Sequence, residues 1–251
     1  MSNVIQASII KKIAMAVSGL FLIVFLLQHF IINITSVFSE SVFNQFSHFM
    51  GSNFVVQFIA QPILIFGVIF HFVMGFVLEL KNKKAQGVSY TKNNGAANST
   101  WFSRNMIYSG VTILAFIVLH FIDFWFPEIN TKFIKGDWSG TMEGVEGLRY
   151  YEELTHKFES PIRVGAYALA FVFLGLHLAH GFTSAFQSMG VTAGRKKTLQ
   201  NIGKGYSIII PLGFIIIALY HHLKYVLSYT VKTFSKINSI RKEITMINFM
   251  K

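Results

Sequence analysis

Histidines lie inside the apolar stretches of this sequence, where an ionisable ring indicates a function. We single out four, one in each of the first four of five such stretches: His29, His71, His120 and His180. A polar side chain in the hydrocarbon of a bilayer is costly, so intramembrane histidines are candidate functional residues. Imidazole is also a common metal ligand. The sequence has no cysteine, which excludes disulfides, thiolate-bound iron–sulfur clusters and covalently attached c-type haem.

These histidines fall at two depths when each is measured from the basic end of its own stretch. At about 1.5 Å per helical residue, His29 and His120 lie about 25 Å from that end, and His71 and His180 about 15 Å. Two imidazoles at one height on different helices are what bis-histidine haem ligation requires. A haem with both axial positions filled carries electrons. The spacing therefore predicts two haems b as cofactors, an outer one on His29 and His120 and an inner one on His71 and His180.

The two outer histidines close two copies of one sequence pattern, SGLFLIVFLLQH at 18–29 and SGVTILAFIVLH at 109–120. Gly19 and Gly110 each precede the closing histidine by ten residues. A porphyrin is wide and flat, so helices that grip it need positions without side chains, which also permit close helix approach. We interpret the repeat as two helices that run in the same direction and meet the same cofactor at the same depth.

The elements that position these residues are predicted to be membrane-spanning helices. Of the 251 residues 53% are hydrophobic and only 13% are charged, which excludes a soluble globular domain of this size. Proline is scarce, which favours long helices over a barrel of short strands. Five runs reach spanning length, near 13–38, 54–80, 102–126, 162–189 and 206–229. We predict an all-α integral membrane protein in which the first four helices form a bundle around two stacked haems.

Basic residues cluster beside the apolar runs, as membrane topology requires, and do not form a nucleic-acid surface. Lysines and arginines precede the first run and fill the connections between runs two and three and between runs four and five. The positive-inside rule then places the N-terminus on the cytoplasmic side of the membrane. We expect that membrane to be the inner membrane of a bacterium. The chain divides into a five-helix domain at 1–229 and a basic tail at 230–251, whose predicted position outside the cell runs against the same rule.

Further polar residues have competing interpretations. His177 precedes His180 by one helical turn and competes with it as the fourth ligand; depth and the following glycine favour His180. His221 and His222 are interpreted as interfacial. Two more histidines, His48 and His156, are expected to be solvated in the outer connections.

Asp123, one turn after His120, is interpreted either as a wet interfacial acid or as a proton acceptor for a quinol. Gln61 and Gln57 are further candidates for a quinone site. Arg104 and Arg163 could pair with haem propionates.

Four segments carry a family resemblance: SGLFLIVFLLQH, FGVIFHFVMGF around His71, SGVTILAFIVLH, and HLAHGFTSAFQSMG, which contains His180. Together they resemble the five-helix, di-haem cytochrome b subunit of succinate dehydrogenase and fumarate reductase, in the form found in Bacteroidota and relatives. The resemblance extends over about residues 8 to 228.

The resemblance implies a membrane anchor for a flavoprotein subunit and an iron–sulfur subunit on the cytoplasmic side. Electrons would pass between these subunits and menaquinone through the two haems, with His71 and His180 on the inner one. It is also compatible with a dimer of complexes. Some fumarate reductases of this family have a glutamate two residues before the fourth ligand. Leu178 stands there, which favours succinate oxidation, although the sequence does not fix the direction of electron flow.

Three alternatives remain at this level. A cytochrome b subunit of a hydrogenase or formate dehydrogenase would also transfer electrons through membrane haems, but to other partner subunits. A membrane non-haem di-iron oxidase needs about eight ligands at one depth, whereas these histidines lie at two. A transporter with a histidine proton relay is disfavoured because no inverted repeat with broken helices is visible.

Overall fold

The computed structural model describes residues 2–85, 106–144, 146–191 and 194–250, and every regular element in this part of the chain is helical. The α-helices are α1 (Ser2–Phe38), α2 (Glu40–Ser52), α3 (Gln61–Ala85), α4 (Met106–His120), α5 (Phe126–Ile129), α6 (Tyr150–Lys157), α7 (Pro161–Ser188) and α8 (Lys196–Phe249). Three π-helical segments, Val56–Ala60, Phe121–Trp125 and Asn130–Ile134, adjoin α3, α4 and α5.

Five helical stretches are long and apolar enough to cross a membrane, which confirms the predicted number and type of spans. They are Ile9–Phe38, Val56–Lys81, Met106–Ile134, Pro161–Ser188 and Lys196–Asn248. The start of the predicted third span, with Arg104, lies outside the described residues. The fifth helix is much longer than predicted because no glycine or proline follows Gly213 to end it. It continues without a break through the predicted domain boundary at 229, and residues 223–248 are all exposed.

Four of the long helices pack as a ring, and the fifth lies outside it. Around the ring, α1 contacts α3, α3 contacts α4, α4 contacts α7, and α7 contacts α1. Among the described residues, the diagonal pairs α1/α4 and α3/α7 make few or no backbone contacts, fewer than any neighbouring pair of the ring. The long helix α8 packs against α7 and α1. Side chains from two diagonal helices therefore meet across the middle of the bundle.

One end of the bundle, where α1 ends and α7 begins, is covered by folded connections; we call it the capped end. The connection after α1 is the helix α2, which contacts α6. Asn44 joins the two connections: its side chain donates to Leu148 O at 2.8 Å and accepts from Tyr151 N at 2.7 Å. The structure therefore holds more order at this end than the sequence predicts.

A network of buried charges fastens the capped end. Glu128 pairs with Lys132 and with Arg149, and Arg149 also contacts Glu153 at 2.5 Å. Burial acts to lower the pKa of Arg149, but the two glutamates outweigh it and raise that pKa. Both cations are almost fully buried, so their pairing is needed for the fold.

The two histidines predicted to be solvated in these connections differ. His48 is half-buried and lies 3.3 Å from the Tyr150 hydroxyl, which corrects that expectation. Burial and Glu128 raise the pKa of Tyr150 to about 12, so the hydroxyl stays protonated. His156 is exposed, as predicted.

Candidate functional site

His29 and His120 face one another across the diagonal between α1 and α4. Their ring centroids lie 5.8 Å apart and the ring planes are nearly perpendicular, at 85°. Aromatic side chains surround them: Phe25 stacks on His29 at 5.5 Å and Phe116 on His120 at 5.8 Å. Phe214 of α8 also lies 5.8 Å from His29. We call His29 and His120 the aromatic-packed pair.

On the other diagonal, between α3 and α7, His71 faces His177 at a centroid distance of 6.3 Å. The sequence analysis preferred His180 as the partner of His71, but the structure places the ring of His177 opposite His71. Among the described residues no ring contact joins His180 to His71. We call His71 and His177 the serine-bound pair.

The two rings of this pair are held by serines from neighbouring helices in the same way. Ser18 Oγ lies 3.0 Å from His71 Nδ1, and Ser109 Oγ lies 3.1 Å from His177 Nδ1. Each serine hydroxyl donates its only proton to the carbonyl three residues earlier, at 2.9 Å in both cases. A histidine that binds a metal through Nε2 carries its proton on Nδ1, and each serine can accept a hydrogen bond from that Nδ1–H while it donates to the carbonyl. A neutral imidazole with its proton on Nδ1 presents the lone pair of Nε2 to a metal.

The glycines next to these serines make room for the same rings. A Cβ added at Gly19 would lie 3.3 Å from Cε1 of His71, and one at Gly110 would lie 3.9 Å from Cε1 of His177. The sequence analysis linked both glycines to the histidine that closes their own helix. The structure places each of them against a histidine of the adjacent helix.

The two halves of the bundle share a longer pattern than the sequence analysis recognised. Met15 and Met106, whose carbonyls accept the serine protons, reach towards Gly75 and Gly181; a Cβ on these glycines would lie 3.6 and 3.9 Å from the methionine Cε. Gly75 follows His71 by four residues, and Gly181 follows His177 by four residues. This H-x-x-x-G spacing matches His177, not His180, to His71, and it was available in the sequence.

The two histidine pairs form two layers of the bundle. On α1, Gly19 lies against the serine-bound pair and His29 follows ten residues later; on α4, Gly110 and His120 repeat this spacing. Ten helical residues rise about 15 Å, half the thickness of a hydrocarbon core of about 30 Å. The aromatic-packed pair lies nearer the capped end.

Both pairs fit the axial ligands of a haem. Imidazole nitrogen binds first-row metals at about 2 Å, so two rings on opposite sides of one metal have centroids about 6 Å apart. Both centroid distances agree with this value. A metal held by protein side chains alone needs more ligands, and no group of three or more His, Cys, Asp or Glu capable of holding an ion occurs among the described residues. Two ligands per site suit a macrocycle that supplies the remaining ones.

Asp123 lies beside the aromatic-packed pair and is buried, which corrects the interpretation of a wet interfacial acid. It stands in the π-helical segment that directly follows His120. The Tyr167 hydroxyl donates to Asp123 Oδ2 at 2.8 Å, and Arg163 lies 2.9 Å from Oδ1. The Tyr167 ring also lies 6.4 Å from that of His120. Arg163 is thus engaged by a protein carboxylate.

The other quinone candidates lie at the start of α3. Gln61 is half-buried there, and no hydrogen bond joins it to Asp123 in the described parts of the chain. Gln57 is buried and donates to Met50 O at 2.8 Å, which is a structural role.

His221, which the sequence analysis expected at the membrane interface, is buried within the protein and only 1% exposed. Its Nε2 lies 2.9 Å from Ser36 Oγ, and the ring lies 5.5 Å from Tyr151. The connection that contains α6 covers it, and sequence periodicity gives no signal for this cover. His222 is half-buried and approaches Phe158 O at 2.8 Å.

No protein-family model, curated protein or solved structure matches this chain. The family resemblance of the four sequence segments therefore remains a prediction.

Proposed function

We propose that this protein is the membrane anchor and electron-transfer subunit of a succinate:quinone oxidoreductase, holding two haems b. The observation that carries the proposal is the pair of facing imidazoles on each diagonal, at 5.8 and 6.3 Å. His29 and His120 would hold one haem. His71 and His177 would hold the other, so His177 replaces His180 in this role. Two haems bound in this way would supply one-electron transfer along the bundle.

The protein side chains do three things in this proposal. The serines and glycines set the planes of the serine-bound rings, and the phenylalanines fix those of the aromatic-packed pair. With two histidines holding each haem, the sites would exchange electrons and would bind no substrate on the metal.

The proposed orientation follows the basic residues. The serine-bound pair would lie nearer the cytoplasm, where flavoprotein and iron–sulfur subunits bind, and the aromatic-packed pair nearer the outside. Menaquinone would react near the second pair, with Asp123 as the candidate proton-accepting group. The residue two positions before the fourth ligand is Gly175 when His177 is that ligand, so no carboxylate stands there under either assignment. Succinate oxidation remains the favoured direction.

The test is optical. The purified full-length protein should give a reduced-minus-oxidised spectrum of cytochrome b and, by pyridine haemochrome, two haems per chain. His177→Ala should lose one haem, and the matched control His180→Ala, one turn away on the same helix, should keep both.

A folded, colourless protein expressed with adequate haem supply would contradict the proposal. If His180→Ala loses a haem and His177→Ala keeps both, the cytochrome stands but the ligand assignment returns to His180. Co-purification of the native complex distinguishes succinate dehydrogenase partners from those of a hydrogenase or formate dehydrogenase.

A further inference from the structure

Three buried serines in this protein contact a histidine while donating their proton to a carbonyl three residues earlier. Ser18 and Ser109 contact His71 and His177, and Ser36 contacts His221, donating to Asn33 O at 2.7 Å. When the hydroxyl proton lies on that carbonyl, the serine accepts a hydrogen bond from the histidine N–H. The three serine–histidine contacts differ in the ring nitrogen that takes part. The serine contacts Nδ1 of His71 and of His177, but Nε2 of His221.

We infer that Ser18 and Ser109 are positioning residues that tune the haem of the serine-bound pair and leave the other haem untouched. This inference rests on the proposed function. Metal-ligating histidines are commonly held through their second nitrogen, which fixes the tautomer and raises the basicity of the ligand. Ser18 and Ser109 provide this contact to both ligands of one site.

In the part of the chain that the structure describes, no serine contacts either ring of the aromatic-packed pair. Nδ1 of His120 is buried without a hydrogen-bond partner. The side-chain nitrogen of Asn33 lies 3.4 Å from either ring nitrogen of His29, at the limit of a hydrogen bond, while donating to His29 O at 2.8 Å. Stacked phenylalanines orient these rings instead, and a stacked ring does not accept a hydrogen bond from an imidazole N–H.

The expected consequence is electronic. A hydrogen bond accepted from Nδ1–H increases electron donation from Nε2 to the iron and so favours the ferric form. Loss of a serine hydroxyl should therefore shift the midpoint potential of one haem upward. It should also move one of two low-spin signals in the electron paramagnetic resonance spectrum.

The experiment compares Ser18→Val with Ser18→Thr, and Ser109→Val with Ser109→Thr, in the intact protein. Valine and threonine have nearly the same shape, so each comparison isolates the hydroxyl from added bulk. Redox titration and electron paramagnetic resonance are recorded on each variant, and haem content is checked first. Ser36→Ala is the matched control, because it removes the same kind of bond from a histidine that is not a proposed ligand.

We expect both valine variants to move the same single haem, with the threonine variants close to wild type and Ser36→Ala unchanged. The double valine variant should shift further than either single variant. Movement of both haems, of neither, or an equal shift in Ser36→Ala would overturn the inference. If wild type itself lacks two low-spin haems, the proposed function fails; if wild type has both and the valine variants do not shift, only the positioning role fails.

Discussion

The imidazole rings of the two histidine pairs are oriented by different kinds of contact. Serine hydroxyls hold the serine-bound pair, whereas phenylalanine rings hold the aromatic-packed pair. Both devices come from one repeated pattern, on α1 and on α4. Its Ser-Gly start serves a histidine of the neighbouring helix, and its Phe-x-x-x-His end provides a histidine and the ring that stacks on it. Each copy of the pattern therefore contributes to both layers: it supplies one histidine of the aromatic-packed pair and the Ser-Gly that contacts one histidine of the serine-bound pair.

This difference predicts two electronically distinct sites. Hydrogen bonding to ligands, burial and solvent access are the means by which a protein sets a haem potential. One pair has polar partners on both rings, and the other lies among aromatic rings with at least one unsatisfied nitrogen. We expect the proposed haem of the serine-bound pair to have the lower midpoint potential of the two.

The largest effect expected is the loss of one layer at a time. His29→Ala should remove the haem of the aromatic-packed pair and leave the serine-bound one, and His71→Ala should do the reverse. Each variant should contain one haem per chain by pyridine haemochrome, and the remaining low-spin signal should differ between them. Loss of both haems from a correctly folded variant would show that the layers are not independent. His156→Ala, at an exposed histidine, is the control.

A substitution at Asp123 tests whether a change beside the aromatic-packed pair also affects the serine-bound pair. Asp123→Asn keeps an acceptor for Tyr167 but removes the charge opposite Arg163. Because Arg163 is one-third exposed and can turn to water, we expect the free energy of unfolding to fall by about 1–3 kcal/mol, less than for a fully buried pair. Thermal unfolding in detergent should show a lower Tm, with spectral changes confined to the aromatic-packed site.

The exposed acid Glu143 provides the control, since Glu143→Gln should leave the Tm unchanged. An unchanged Tm in Asp123→Asn would mean that the ion pair contributes no net stability. A change in the serine-bound signal would mean that Asp123 couples the two layers.

Much of this architecture follows from the sequence. Apolar length gives the five spans, and the repeated pattern ending in His29 and His120 indicates two helices that meet at one depth. Depth alone cannot distinguish His177 from His180, because the two differ by only about 5 Å in height along the helix. The comparison of H-x-x-x-G spacing on α3 and α7 resolves it, and only contacts across helices reveal that Ser18 and Ser109 belong with these histidines.

Other features depend on local irregularity or distant contacts. The π-helical segment after His120 turns Asp123 inward, and an added residue per turn leaves no signature in apolar periodicity. The burial of His221 and of the cations at the capped end depends on connections far apart in the chain. Such features arise from tertiary packing and are not encoded in a local window.

The smallest predicted effect compares the two glycines of the repeat. A Cβ at Gly19 would lie 3.3 Å from the His71 ring, so Gly19→Ala requires that ring to shift by a few tenths of an ångström. A Cβ at Gly110 would make an ordinary contact with His177 at 3.9 Å. We therefore expect Gly19→Ala to move the serine-bound signal slightly, and Gly110→Ala to leave both signals in place, with two haems retained in each. Equal shifts in the two variants would mean that the halves of the bundle are more symmetric around their haem than their packing implies.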